Sequence, residues 1–245
     1  MFVKEIEQAL LEGEIDLGVH SLKDMPSELP EGLHIACIPK REDPRDALVS
    51  SSGLPLAMLP IHAVIGTSSL RRKSQIKAFR PDLVVQELRG NLDTRLSKLE
   101  QGDYSAIVLA VAGLNRLGLS QKITEHLPVN LCLPAVGQGA LALETRIDDK
   151  KTASLLAPLH HSETAIAVSA ERAFLRRLEA GCSVPAGAYA QIVNEELYIT
   201  GILADVDGSI VRKAQEEGSI HDSEKLGTRL AERLLEMSGG TVPKG

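Results

Sequence analysis

Aromatic residues are scarce in this chain: no tryptophan, three tyrosines and three phenylalanines in 245 residues, or 2%. Single-stranded nucleic acid is bound on aromatic stacking platforms and duplexes on basic surfaces, so this scarcity and a net charge of −6 argue against both. Cysteine is almost as rare. Cys37, Cys132 and Cys182 are odd in number and far apart, which argues against a disulfide framework and a CxxC zinc site. No metal site is expected, and thiol chemistry would have to come from a single sulfur. No apolar run approaches the roughly 20 residues that cross a bilayer. The opening Met1-Phe2-Val3-Lys4-Glu5-Ile6-Glu7 puts carboxylates where the apolar core of a secretory signal would begin. A cytoplasmic globular protein is therefore expected, without internal repeats or low-complexity tracts.

The length suits two or three compact units. Val3, Ile6 and Leu10 recur at helical spacing before Gly13, so the chain opens on an amphipathic helix. Residues 15–19 and 33–38 read as strands separated by Pro26, Pro30 and Gly32. From residue 63 the pattern alternates: strand 63–66, helix 70–79, strand 83–88, helix 94–101, strand 106–112. The last of these is apolar at every position, as in a parallel sheet covered on both faces. A further strand near 140–144 is expected to return to the first unit. Beyond residue 150 come a helix over 164–178, three short segments around Tyr189, Tyr198 and Ile210, a hairpin signal at Asp207-Gly208, and a helix from about 223 to 237.

Several groups invite chemistry. Gly66-Thr67-Ser68-Ser69-Leu70-Arg71-Arg72 joins a strand to a helix and offers hydroxyl caps. Two arginines in a first helical turn oppose the macrodipole at a typical cost of ~0.3–1 kcal/mol each. Either they point into water or an anion joins them. Arg89 in Leu88-Arg89-Gly90-Asn91, Arg95 and Arg116 also lie near the carboxyl ends of strands, where ligands of open α/β sheets collect. Such converging guanidinium groups in an acidic protein imply a polyanionic ligand, carboxylate-rich or phosphate-rich.

His20-Ser21-Leu22-Lys23-Asp24-Met25-Pro26 places an imidazole, a cation and a carboxylate after a strand. No GxSxG elbow accompanies it, which argues against a serine hydrolase. Asp24 is either catalytic or a cap or turn residue, and His20 reads as structural. Cys37 and Cys132 sit in apolar runs and read as inert. Cys182, in Gly181-Cys182-Ser183-Val184-Pro185, is either a reachable thiol or an incidental loop cysteine.

The segments 20–26, 41–46 (Arg41-Glu42-Asp43-Pro44-Arg45-Asp46), 66–72, 88–91, 133–140 (Leu133-Pro134-Ala135-Val136-Gly137-Gln138-Gly139-Ala140) and 181–185 closely resemble the porphobilinogen deaminase family, in the same order and spacing. The resemblance runs from Phe2 to about the last helix. It implies an α/β fold of two type II periplasmic-binding-protein-like lobes with a smaller C-terminal α+β domain. The implied divisions are 1–42 with 137–157, 43–136, and 158–245.

It also implies hydroxymethylbilane synthase activity: four porphobilinogen molecules are deaminated and joined head to tail on a dipyrromethane primer, then released by hydrolysis. By this resemblance Cys182 holds the dipyrromethane cofactor through a thioether. Asp24 is the central catalytic group, with Lys23, and stabilises a cationic azafulvene. Lys23, Asp24, Thr67, Ser68, Ser69, Arg71, Arg72, Arg89 and Gly90 contact the cofactor, while Phe2, Arg95, Arg116 and Gln138 contact substrate. Porphobilinogen is the only partner implied, and a monomer is the family expectation. Family members carry a strand, helix and strand ahead of the helix that here starts at Phe2, so the first lobe is expected to be incomplete. The competing readings are an inactive truncated homologue and a non-catalytic anion-binding module.

Overall fold

The computed structural model describes residues 2–178, 184–205 and 207–242. Three sheets organise the chain. The first contains β1 (Gly18–Ser21), β2 (Leu33–Cys37) and β8 (Leu141–Arg146), with β8 central and antiparallel to both neighbours. Helix α1 (Phe2–Leu11) and the later helix α6 (Ser162–Arg177) cover one face, and α5 (Lys150–Leu156) sets Leu156 against Cys37 and Leu143 on the other.

The second sheet has the order β5 (Val84–Gln86), β4 (Val64–Gly66), β6 (Ala106–Ala110), β3 (Asp46–Ser50), β7 (Glu125–Leu127). β4 runs parallel to β5 and β6, whereas β3 enters antiparallel to β6 and β7. The sheet is therefore mixed rather than purely parallel. Both its faces are buried, as the unbroken apolar run of β6 requires. Helix α2 (Leu70–Phe79) seals one face through Ile76 over Ile65 and Val108. Helices α3 (Leu92–Glu100) and α4 (Val111–Arg116) seal the other through Leu96, Leu99 and Leu114 over Ile107 and Leu109.

The third sheet is the antiparallel meander β9 (Ala186–Val193), β10 (Glu196–Ala204), β11 (Val211–Ser219). Its inner face packs on α6 and α7 (Ser223–Met237) around Phe174, Ile199 and Leu230. The fold is thus α/β over its first two sheets, with a smaller C-terminal α+β domain. Among the described residues no helix is long and apolar enough to cross a membrane.

Some elements differ from the sequence expectation. The first strand begins at Gly18, three residues later than its apolar pattern suggested, because backbone bonds from Glu14 and Ile15 to Ala9 hold the preceding residues against the end of α1. β6 stops at Ala110, and Val111 and Ala112 open α4 instead. α3 starts at Leu92, two residues earlier than its apolar periodicity indicated, because the Asn91 side chain caps it by accepting from Thr94 N. β3, β7 and α5 were not apparent from local pattern.

The chain crosses between the first two sheets twice, through residues 38–45 and 128–140. Glu42 N donates to Gly139 O where the crossings meet, and Gly139 sits there at φ +87° with Glu42 O against the position a Cβ would take. Only glycine fits this approach. Fully buried Glu171 on α6 joins the crossings to the third sheet. It accepts from both terminal nitrogens of Arg41 (2.6 and 3.2 Å), from Gly137 N (2.7 Å) and from Ala190 N (2.8 Å).

Candidate active site

β1 ends at Ser21 and turns through a single 3-10 turn, Leu22–Asp24. Leu22 is buried and its N–H donates to Ala140 O, which ties the turn to the second crossing. Lys23 is half-buried, and Asp24 is exposed without an ion pair to any described side chain.

Facing this turn is the carboxyl edge of the second sheet. β4 leads into Thr67-Ser68-Ser69. The buried Thr67 hydroxyl accepts from Ser69 N, exposed Ser68 donates to Leu88 O (2.7 Å), and Ser69 caps α2 by accepting from Arg72 N. These bonds fix the loop after β4 against the one after β5. Gly90 in that second loop has φ +117°, with Thr94 packed against its Cα, and its carbonyl accepts from Arg95 Nε (2.8 Å).

Arg71 and Arg72 do not point into water. Both are buried, and the anion between them belongs to the chain: Asp46, at the start of β3. Arg71 Nη1 reaches Asp46 Oδ2 at 2.7 Å and Leu133 O at 2.5 Å. Arg72 holds Asp46 Oδ1 through Nε (3.0 Å) and Nη2 (2.7 Å) and donates to Val108 O through Nη1. Gln138 Nε2 and the Cys132 thiol complete the shell of Asp46 at 2.9 and 3.3 Å. Burial alone would push the Asp46 carboxyl up, but the two guanidinium groups overcome it and hold that carboxyl well below the ordinary range. Burial and the neighbouring Asp46 charge push the Cys132 thiol up to about 12, so Cys132 stays protonated and inert.

One carboxylate does not balance these cations. Lys23 is pulled down to about 8, first by burial and then by the charge of Arg72, against the opposing pull of Asp24 and Asp46. Arg95 is also lowered, by burial and by Arg72. Lys23 and Arg95 thus both lie within range of the Arg72 charge, with Asp24 beside Lys23, while Arg71 and Arg72 stand behind them already countered by Asp46. A ligand bearing several carboxylates, as dipyrromethane does, fits this donor set.

The other residues singled out from the sequence lie at varied distances from that centre. Arg89 follows Leu88 on the same edge, with its side chain 80% exposed and paired to Glu87, itself 59% exposed. Such a pair contributes little and leaves the guanidinium free to exchange partners. Arg116 is exposed at the crossings, where Nη2 donates to Gly139 O (2.7 Å) and its charge acts on Glu42. Gln138 is buried, its amide nitrogen committed to Pro44 O and Asp46, so it acts on a ligand only through Asp46. Cys182 and the side chain of Phe2 lie outside the described residues.

Two important residues were not singled out from sequence, Asp46 and Glu171. Paired first-turn arginines signal a required carboxylate; which carboxylate supplies it depends on a strand pairing, Asp46 opposite Ala110, that local pattern does not reveal.

The sequence family described as "Porphobilinogen deaminase, dipyromethane cofactor binding domain" matches residues 1–154, and "Porphobilinogen deaminase, C-terminal domain" matches residues 165–236. Among solved structures, the chain is similar to YhfZ from Shigella flexneri at 22% identity, covering 71% of this chain and 78% of that one, with a TM-score of 0.29. It is similar to a Salmonella typhimurium periplasmic binding protein of high arginine specificity at 12% identity, covering 66% and 71%, with a TM-score of 0.39.

Proposed function

Because the chain belongs to the porphobilinogen deaminase family, we propose that it is a hydroxymethylbilane synthase, a transferase that condenses four porphobilinogen molecules on a dipyrromethane primer bound through Cys182. The observation that carries this reading is the Lys23-Asp24 turn, tied to the second crossing through Leu22, in which the exposed Asp24 carboxylate makes no ion pair with any described side chain and stands beside the ammonium of Lys23.

Dipyrromethane, when bound, supplies the nucleophilic pyrrole carbon to which the substrate is joined. The protein's own groups do the rest. Carboxylates of cofactor and substrate meet Lys23 and Arg95, with Arg72 adding its charge from behind, and a carboxylate beside Lys23 restores the ammonium charge that burial and Arg72 weaken. Asp24 accepts the pyrrole N–H of porphobilinogen. When the C–N bond of the protonated aminomethyl group breaks and ammonia leaves with the bonding pair, the Asp24 carboxylate stabilises the resulting cation. The same carboxylate can then take the proton lost from the attacking pyrrole carbon. Asp46 holds Arg71 and Arg72 in place throughout, and the hydroxyls of Thr67, Ser68 and Ser69 with Gly90 shape the rim. Arg89 and Arg116 are assigned to the carboxylates of later units, and Gln138 supports them through Asp46.

Intact mass of the denatured protein, with peptide mapping around Cys182, tests the assignment. A mass excess of two condensed porphobilinogen units on that peptide supports it; a bare thiol after incubation with porphobilinogen favours an inactive homologue or an anion-binding module. Arg89→Leu is expected to fold normally, since surface substitutions stay within about 0.5 kcal/mol, yet to accumulate enzyme-bound partial chains in the mass spectrum. Full bilane yield from that variant would remove Arg89 from the substrate path.

A further inference from the structure

The titratable groups beside β1 that this chemistry leaves unused are buried together. His20 on β1 and Glu144 on β8 meet with Nε2 2.9 Å from Oε2, their side chains 3% and 0% exposed. Glu7 of α1 is buried close enough for its charge to act on both. Glu7 Oε1 and Glu144 Oε1 are buried without a hydrogen-bond partner.

Among the described residues no lysine or arginine pairs with this group, and Lys4, one turn before Glu7, is exposed. Arg146 on β8 is committed to the carbonyls of Leu10 and Ile15 and to Asp16 and Asp149. His34 of β2, whose Nε2 is also buried without a partner, stands opposite Thr145 and so on the other face of the sheet. α6 presents Ala165 and Val168 to this core, while its Glu171 binds Arg41 and its Arg172 binds the carbonyls of Pro26 and Ser27.

Two carboxylates and one imidazole in such a place cannot all be free of protons, because each bare charge is desolvated and the carboxylates repel. A proton held on Glu144 relieves that repulsion and keeps the contact with His20. Burial, helped by the Glu7 charge, pushes the Glu144 carboxyl up to about 7, and burial pushes the His20 imidazole down.

From His20 the chain runs straight into the Lys23-Asp24 turn. We propose that Glu7, His20 and Glu144 form a proton-holding clamp that fixes β1 and thereby positions Lys23 and Asp24, and that alkaline loss of its proton loosens that turn. The positioning role rests on the assignment of Asp24 to catalysis; the clamp itself does not.

The sign follows from linkage. Glu144 titrates higher in the folded chain than its ordinary 4.5, so its stabilising contribution is complete below that value and is lost as pH rises through about 7. His20, shifted down, acts oppositely as pH falls. The Glu144 contribution is therefore read as a difference between wild type and variant.

The test is thermal melting and hydrogen exchange of residues 18–25 in the full chain, compared between about pH 6 and about pH 8.5 for wild type, Glu144→Gln and Glu7→Gln. Wild type is expected to lose melting temperature and protection over that span. Glu144→Gln, which keeps a polar partner for His20 without ionising, should lose clearly less. Glu7→Gln should move the loss to lower pH and shrink it, and it serves as the test if the first variant fails to fold. Identical pH dependence in all three proteins would overturn the clamp, and flattened melting with unchanged exchange of residues 18–25 would overturn its positioning role. In porphobilinogen turnover the alkaline limb of the pH profile should move upward in Glu144→Gln. A wild type without turnover would refute the functional assignment and leave the exchange measurement to decide the clamp.

Discussion

Asp24→Asn is expected to fold with an unchanged melting temperature and to lose turnover by about 10²- to 10⁴-fold, the usual range for a positioned acid–base group. The asymmetry comes from its place in the structure. Asp24 closes a short turn, is exposed, and makes no ion pair with any described side chain, so the fold does not depend on its charge. Asparagine retains the shape and removes the negative charge that meets the developing cation. Ammonia release from porphobilinogen, followed under single-turnover conditions, measures the effect directly. Near-normal release would exclude Asp24 from the chemical step.

Asp46→Ala should do the reverse and damage the fold first. It leaves the buried guanidinium groups of Arg71 and Arg72 without their shared carboxylate, and breaking a buried pair by removing one partner costs about 3–5 kcal/mol. For a protein of this size that corresponds to a fall of roughly 10 °C or more in melting temperature. A double-mutant cycle with Arg72→Met supplies the control. If the loss comes from a stranded charge, the double variant should be more stable than the sum of the single effects predicts. Strict additivity, or an unchanged melting temperature for Asp46→Ala, would show that solvent already compensates the arginines.

The elements legible in the sequence are those whose signals are local. Ser69 caps α2 within three residues, and α7 carries its own apolar stripe of Leu226, Leu230 and Leu234. β6 overran because Val111-Ala112-Gly113-Leu114 is as apolar as the strand before it, and only packing decides where extended chain gives way to helix. β1 starts late because Glu14 and Ile15 bond back to Ala9, and it runs on past Val19 because the polar His20 is buried against Glu144, 124 positions away. β3 escaped notice because both of its partners, β6 and β7, lie more than fifty residues downstream. The candidate site divides in the same way. Lys23, Asp24 and the rim arginines stand out by residue type beside strand ends, whereas the division of those arginines into two buried ones already countered by Asp46 and others open to ligand depends on tertiary contacts.

The four bonds that converge on Glu171 have a mechanical consequence. Each crossing is pinned to the same carboxylate, one through Arg41 and the other through Gly137, and that carboxylate is itself fixed to β9 at Ala190. Two cords fastened at one peg cannot slide past each other; they can only swing about it. The register of the two crossings is thereby set by one buried side chain of α6, so that removal of a single carboxylate would release both strands of the connection and the sheet beside them at once.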